Sequence, residues 1–191
     1  MITGIVLAAG PSSRFRRPKQ LLEHRGKPLV QHAVDAAAEA GLGEVLVVVG
    51  HEAERVELAL RLPENGRVVV NPRFEEGLST SLAAGLGAAD RESEAAVVLL
   101  ADQPGVTANQ VRALAAAFLR NRARIVRLRF RDGPGPSLLS REIWEEARHV
   151  AGDTGARALI DAHPDWVEEI AVDAYAPPDV DTPGDLECLE P

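Results

Sequence analysis

Hydrophobic positions recur along the chain in two alternating rhythms. Runs of β-branched and aliphatic residues occupy positions 2–9, 44–49, 67–70, 95–100, 123–130 and 166–172. The runs at 2–9, 44–49 and 95–100 are nearly continuous, the pattern of strands covered on both faces in a parallel sheet. Between the runs, apolar residues fall at helical spacing. Positions 28–40 put Leu29, Val30, Ala33, Val34 and Ala37 on one stripe, and 52–62 aligns Val56, Ala59 and Leu60. Positions 79–89 are rich in Ala and Leu, and 107–119 opens with Thr107 and Gln110 at capping-box spacing. Shorter helices are predicted at 140–148 and 155–162. A last one opens at Thr182-Pro183, with Asp185 as its third helical residue. The Asp-Gly-Pro-Gly-Pro stretch at 132–136 predicts a turn or loop. Strand and helix alternate throughout, with no linker or repeat. The expectation is one α/β layered domain over residues 1–191, with a mostly parallel sheet.

Composition narrows the picture. With 4% aromatic residues the core must be aliphatic. A net charge of −8 argues against a protein whose task is to grip nucleic acid. The single cysteine, Cys188, makes no internal disulfide and suits a reducing compartment. The first apolar run lacks a basic lead and is too short for a signal-peptide core, and no stretch reaches the ~20 apolar residues of a membrane span. A cytoplasmic protein with no membrane partner is expected.

The first strand runs into Leu7-Ala8-Ala9-Gly10-Pro11-Ser12-Ser13-Arg14-Phe15-Arg16-Arg17-Pro18-Lys19. Small residues after a buried parallel strand let a ligand approach the main chain at the carboxyl edge of the sheet, where α/β folds bind ligands. Ser12 and Ser13 add hydroxyls, and Arg14 and Lys19 add charge suited to a polyphosphate. Six of the 21 basic residues lie between Arg14 and Lys27. The loop is neither a Walker A loop nor a Gly-x-Gly-x-x-Gly fingerprint. Asp102 follows the fourth run, at the same sheet edge, where a carboxylate is placed to hold Mg²⁺ against a triphosphate. Arg127, Arg129 and Arg131 alternate along one strand face, either as a charged sheet surface or as a basic wall for an anionic acceptor. The five histidines are scattered and read as structural or surface residues.

These motifs resemble the MobA/MocA-like nucleotidyltransferases that act on molybdopterin. The match lies at Leu7, Ala8, Ala9, Gly10, Ser12, Arg14, Phe15 and Lys19, continues through Gln20-Leu21-Leu22, and recurs at Asp102-Gln103-Pro104. Arg16 stands where that family usually has glycine, and Gly135-Pro136-Ser137-Leu138-Leu139 stands where it has Gly-His-Pro-Val-Leu. The resemblance implies a three-layer α/β/α, Rossmann-like fold of the nucleotide-diphospho-sugar transferase type. It implies a nucleotide pocket bordered by Asn71, Gly77 and Ser81, and acceptor contacts at Gly152, Asp153 and Arg157. Asp181 becomes the second ligand of Mg²⁺ beside Asp102, with Arg14, Lys19 and Asp102 catalytic. The Leu-Ala-Ala-Gly form is similar to the cytidylyltransferase branch, so CTP and the molybdopterin cofactor are the expected donor and acceptor, with a molybdoenzyme as a possible client. Guanylyl transfer, transfer to a sugar or polyol phosphate, and a non-catalytic cofactor-insertion factor are the alternatives.

Overall fold

The computed structural model describes residues 1–12, 15 and 18–189. Among the described residues nine strands form: β1 (Ile2–Ala8), β2 (Glu23–His24), β3 (Lys27–Pro28), β4 (Glu44–Val49), β5 (Gly66–Val70), β6 (Ala95–Leu100), β7 (Ile125–Arg129), β8 (Pro134–Ser140) and β9 (Val167–Ala171). Seven of them make one sheet in the order β5-β4-β1-β6-β8-β7-β9, while β2 and β3 pair as a small separate ribbon. Every neighbouring pair in the large sheet is parallel except those of β8, which runs against both β6 and β7.

The helices are α1 (Leu29–Glu39), α2 (Ala53–Ala59), α3 (Leu78–Ala88), α4 (Ala108–Asn121), α5 (Trp144–Arg148), α6 (Arg157–Ala162) and α7 (Pro183–Cys188). Side chains alternate across the strands and split the core in two. Val6, Val47 and Val97 join Val30 and Val34 of α1 and Leu114 and Phe118 of α4 on one face. Ile5, Leu46 and Val98 join Leu82 of α3, Trp144 of α5 and Ile160 of α6 on the other. The result is the expected three-layer α/β/α arrangement. The mainly parallel sheet and its continuous apolar strands are also as expected. Among the described residues, no helix is long and apolar enough to cross a membrane.

Three local expectations are corrected. Residues 134–136 are not a loop but the start of β8. Pro134 and Pro136 are tolerated because the pairing of β8 with β6 begins only at Ser137, so the prolines lie beyond that ladder and owe it no N–H. The helix predicted over 140–148 is a 3-10 turn at Arg141–Ile143 followed by the single short α5. The helix predicted at 52–62 is likewise shortened to α2, because Leu60 turns extended ahead of Pro63.

Candidate active site

The parallel strands end together at one rim. Leu7 of β1 lies beside Leu100 of β6, and the Ala101 N–H donates to the Leu7 carbonyl at 3.1 Å. Beyond β1 the chain turns at Ser12, whose φ of 53° lies in the left-handed region. That turn is braced from inside. The Lys19 N–H donates to the Ser12 hydroxyl at 2.9 Å, and the hydroxyl donates to Gln20 Oε1 at 3.2 Å. Gln20 Nε2 returns to the Gly10 carbonyl at 2.9 Å, and Gln20 is only 2% exposed. The loop therefore keeps its shape through a buried amide.

Lys19 and the carboxylates meet across this rim. Lys19 Nζ donates to Asp102 Oδ2 at 2.5 Å and to Asp181 Oδ1 at 3.0 Å. Burial works to lower the Lys19 ammonium, but Asp102, and then Asp181, outweigh it and hold the group above its ordinary value. Asp181 reaches the rim because Val180, fully buried against Leu22 and Leu29, anchors its segment. The Val180 N–H also donates to the Asp102 backbone carbonyl at 3.0 Å. One buried valine thus sits between two acids that both line the cleft. Asp179 accepts from Gln103 Nε2 at 2.6 Å. Burial pushes its carboxyl above the ordinary range, and the charges of Asp102 and Asp181 add to that.

These groups line a cleft of about 480 Å³, with Leu7, Ala9, Gly10, Ser12 and Asp153 also in its wall. Ala8 is buried on the opposite side of β1, in the α1 core. Asp153 is partly committed elsewhere, since its Oδ1 accepts the Leu78 N–H at 3.1 Å and so caps α3. Gly77, at φ 109°, is needed for the same junction: a Cβ there would meet the Gly152 carbonyl oxygen at 2.6 Å.

Asn71 and Ser81, expected at the nucleotide, are not brought to the cleft. Asn71 Nδ2 donates to the Thr80 and Ser81 hydroxyls at 2.9 and 3.0 Å, and Asn71 Oδ1 accepts the Arg73 N–H at 2.9 Å. These buried side chains spend their polar atoms on the corner between β5 and α3. Arg157 is exposed, 3.7 Å from Asp161, at a neighbouring smaller cavity. Arg127 and Arg129 of β7 and Arg131 beyond it also part company. Arg127 lines the smaller cavity, Arg129 is exposed, and Arg131 pairs with Asp173. Arg14 lies outside the described residues.

Two site groups escaped the sequence analysis. Gln20 had no assigned role, although it directly follows Lys19. Asp179 was not singled out, although the Asp-Val-Asp alternation around Val180 was its signal.

The donor set fits a divalent cation. Asp102 and Asp181 offer hard oxygen atoms, and the Lys19 ammonium already occupies a point both can reach, standing in for a cation. Among the described residues, no group of three or more acidic, His or Cys side chains is arranged to hold a metal, so further ligands would come from water or phosphate oxygens.

A profile of the MobA-like NTP transferase domain matches residues 4–167. The chain belongs to that family. Its fold class, its enzymatic nature and its nucleoside triphosphate substrate follow from that membership, so it is a nucleotidyltransferase. The nicotine blue oxidoreductase of Paenarthrobacter nicotinovorans is 33% identical over 95% of this chain and 92% of its own. Rv0371c of Mycobacterium tuberculosis superposes with a TM-score of 0.88 at 33% identity, covering 98% of this chain and 96% of that one. The same mycobacterial protein has been solved in complex with manganese, with a TM-score of 0.85 at 33% identity over 98% of this chain and 97% of that one. A nucleotidyl transferase from Methanothermobacter gives a TM-score of 0.83 at 27% identity over 99% of this chain and 95% of that one.

Proposed function

We propose that the cleft transfers CMP from CTP to the phosphate of the molybdopterin cofactor and releases pyrophosphate. The observation that carries this reading is the convergence of Asp102 and Asp181 on one cation, at the rim of the braced β1 loop. An oxygen of the acceptor phosphate attacks the α-phosphorus, and the bond from that phosphorus to the bridging β-phosphate oxygen breaks. Asp102 and Asp181 would hold Mg²⁺, which when bound neutralises charge on the triphosphate and on the leaving pyrophosphate. Lys19, released from the two carboxylates, turns its ammonium to the phosphates. Arg14 and the amides of Ala8, Ala9 and Gly10 support it, and Ser12 keeps the loop in shape. Asn71, Gly77 and Ser81 serve the nucleotide indirectly, by shaping the corner before α3. Asp153 and Arg157 flank the acceptor. Most of the work is positioning and electrostatic stabilisation.

Pyrophosphate release with Mg²⁺ and the molybdenum-loaded molybdopterin cofactor tests this, offering CTP, GTP, ATP and UTP separately beside Asp102→Asn. Release is expected with CTP, falling by about 10²-fold or more in the variant. Release with GTP alone would overturn the donor assignment and leave the mechanism. Silence with this acceptor but turnover with a sugar phosphate would overturn the acceptor. A redox activity is the second reading, favoured by the name of the Paenarthrobacter relative, which aligns over 95% of this chain. It predicts electron transfer from an added reductant to an added dye acceptor that survives Asp102→Asn.

A further inference from the structure

The cleft shares Leu7, Leu78 and Leu100 with a second cavity of about 170 Å³. The start of β8 closes this annex on one side and α6 on the other. The two spaces differ in charge. Four aspartates (Asp102, Asp153, Asp179 and Asp181) line the cleft against Lys19, whereas Arg127 and Arg157 line the annex without any carboxylate. The walls of the annex are otherwise largely apolar, with Val98, Leu100 and Ile160 among them.

Arg127 is the polar anomaly in it. Its side chain is 18% exposed, and its Nη2 donates to Glu169 of the adjacent strand. Its Nε is buried and has no hydrogen-bond partner. A buried N–H on a charged group is rarely left unpaired in a folded protein, because its lost hydration is not recovered. The volume suits one small ring, since an apolar cavity of about 150 Å³ holds benzene.

We infer that the annex holds the acceptor by a small ring or hydrocarbon segment bearing an anionic oxygen group, a phosphate or a carboxylate, which pairs with the Arg127 guanidinium. Arg127 is then the residue that selects acidic acceptors over neutral ones, with exposed Arg157 as the second cation at the mouth. The term acceptor rests on the transfer reading of the cleft; the affinity for the anion does not.

The test is isothermal titration of the full chain with phenyl phosphate, benzoate and neutral benzyl alcohol, each with and without CTP and Mg²⁺. At least one of the two anions is expected to bind, benzyl alcohol is not, and the tighter anion identifies the group. CTP should not displace it. Arg127→Met should weaken anion binding by about tenfold or more while leaving CTP binding intact. Ala156→Leu, which fills the annex and spares the guanidinium, should do the same and covers the case in which Arg127→Met fails to fold. Equal binding by both variants, displacement by CTP, or no binding of either anion would overturn the inference. Anion binding that depends on Arg127 in a protein that never releases pyrophosphate would instead sink the transfer reading and leave the annex standing.

Discussion

Gln20 ties Gly10 to Ser12 in the turn that follows β1. Gln20→Ala removes the donor to the Gly10 carbonyl, which belongs to an exposed residue that water can reach, at a net cost of about 0.5–1.5 kcal/mol. Urea unfolding should show that loss, and CTP affinity should fall with it although Lys19 is untouched. An unchanged CTP affinity would mean that the loop holds its shape without the amide. At this scale the legible residues were those whose chemistry follows from strand position. Lys19 and Asp102 stand after buried strands, whereas Asp181, before a capped helix, is marked for the site only by the family resemblance; the structure brings the three together. Gln20 was hidden because a glutamine in a polar loop looks the same whether it is buried or solvated. Asn71 erred in the opposite direction. A polar residue in a small-residue turn suggests a ligand contact, but here Thr80 and Ser81 take both amide protons and Arg73 donates to the amide oxygen.

Two helices open with the same device and should respond differently to its loss. Thr107 caps α4 and Thr182 caps α7, each with a reciprocal side chain at N3. Removing either hydroxyl costs about 1 kcal/mol of stability. At α7 the reciprocal Asp185 carboxylate also accepts the Asp181 N–H at 2.9 Å, so the cap is tied to a site residue. Thr107→Ala is expected to lower the melting temperature and leave turnover unchanged. Thr182→Ala is expected to lower turnover and weaken activation by divalent cation as well. Equal turnover in the two variants would show that α7 does not position Asp181. The capping boxes were visible in sequence because both partners lie within one turn. β8 was not, because Gly and Pro dominate its first residues, and only its partners in space show that those residues lie past the end of its ladder with β6. The same long-range dependence hid the different surroundings of Arg127 and Arg129, which packing and not strand alternation sets.

Across the whole molecule, several carboxylates are tied to cations. Burial would raise Asp35, but its hydrogen bonds from Lys27 and Gln31 outweigh it; Arg73 lowers Glu76, and Arg122 lowers Glu94. A carboxylate held below its unfolded value stabilises the fold above that value, and the contribution fades as pH falls through the folded one. The ordinary values are 3.8 for Asp and 4.5 for Glu. The urea midpoint should therefore be flat from neutral pH to about 5 and fall below that, with a shallower fall in high salt because these pairs are exposed. A midpoint that holds steady to pH 3 would show the pairs to be ornamental. The sheet itself is buried in two thick aliphatic clusters, whereas Asp181 is held at the rim by Val180, a three-residue apolar patch and one short helix. Local opening follows such differences in burial. The last segment is thus a clasp on a finished box: it can spring while the box stays shut, and a preparation that passes every check of foldedness can already have stopped working.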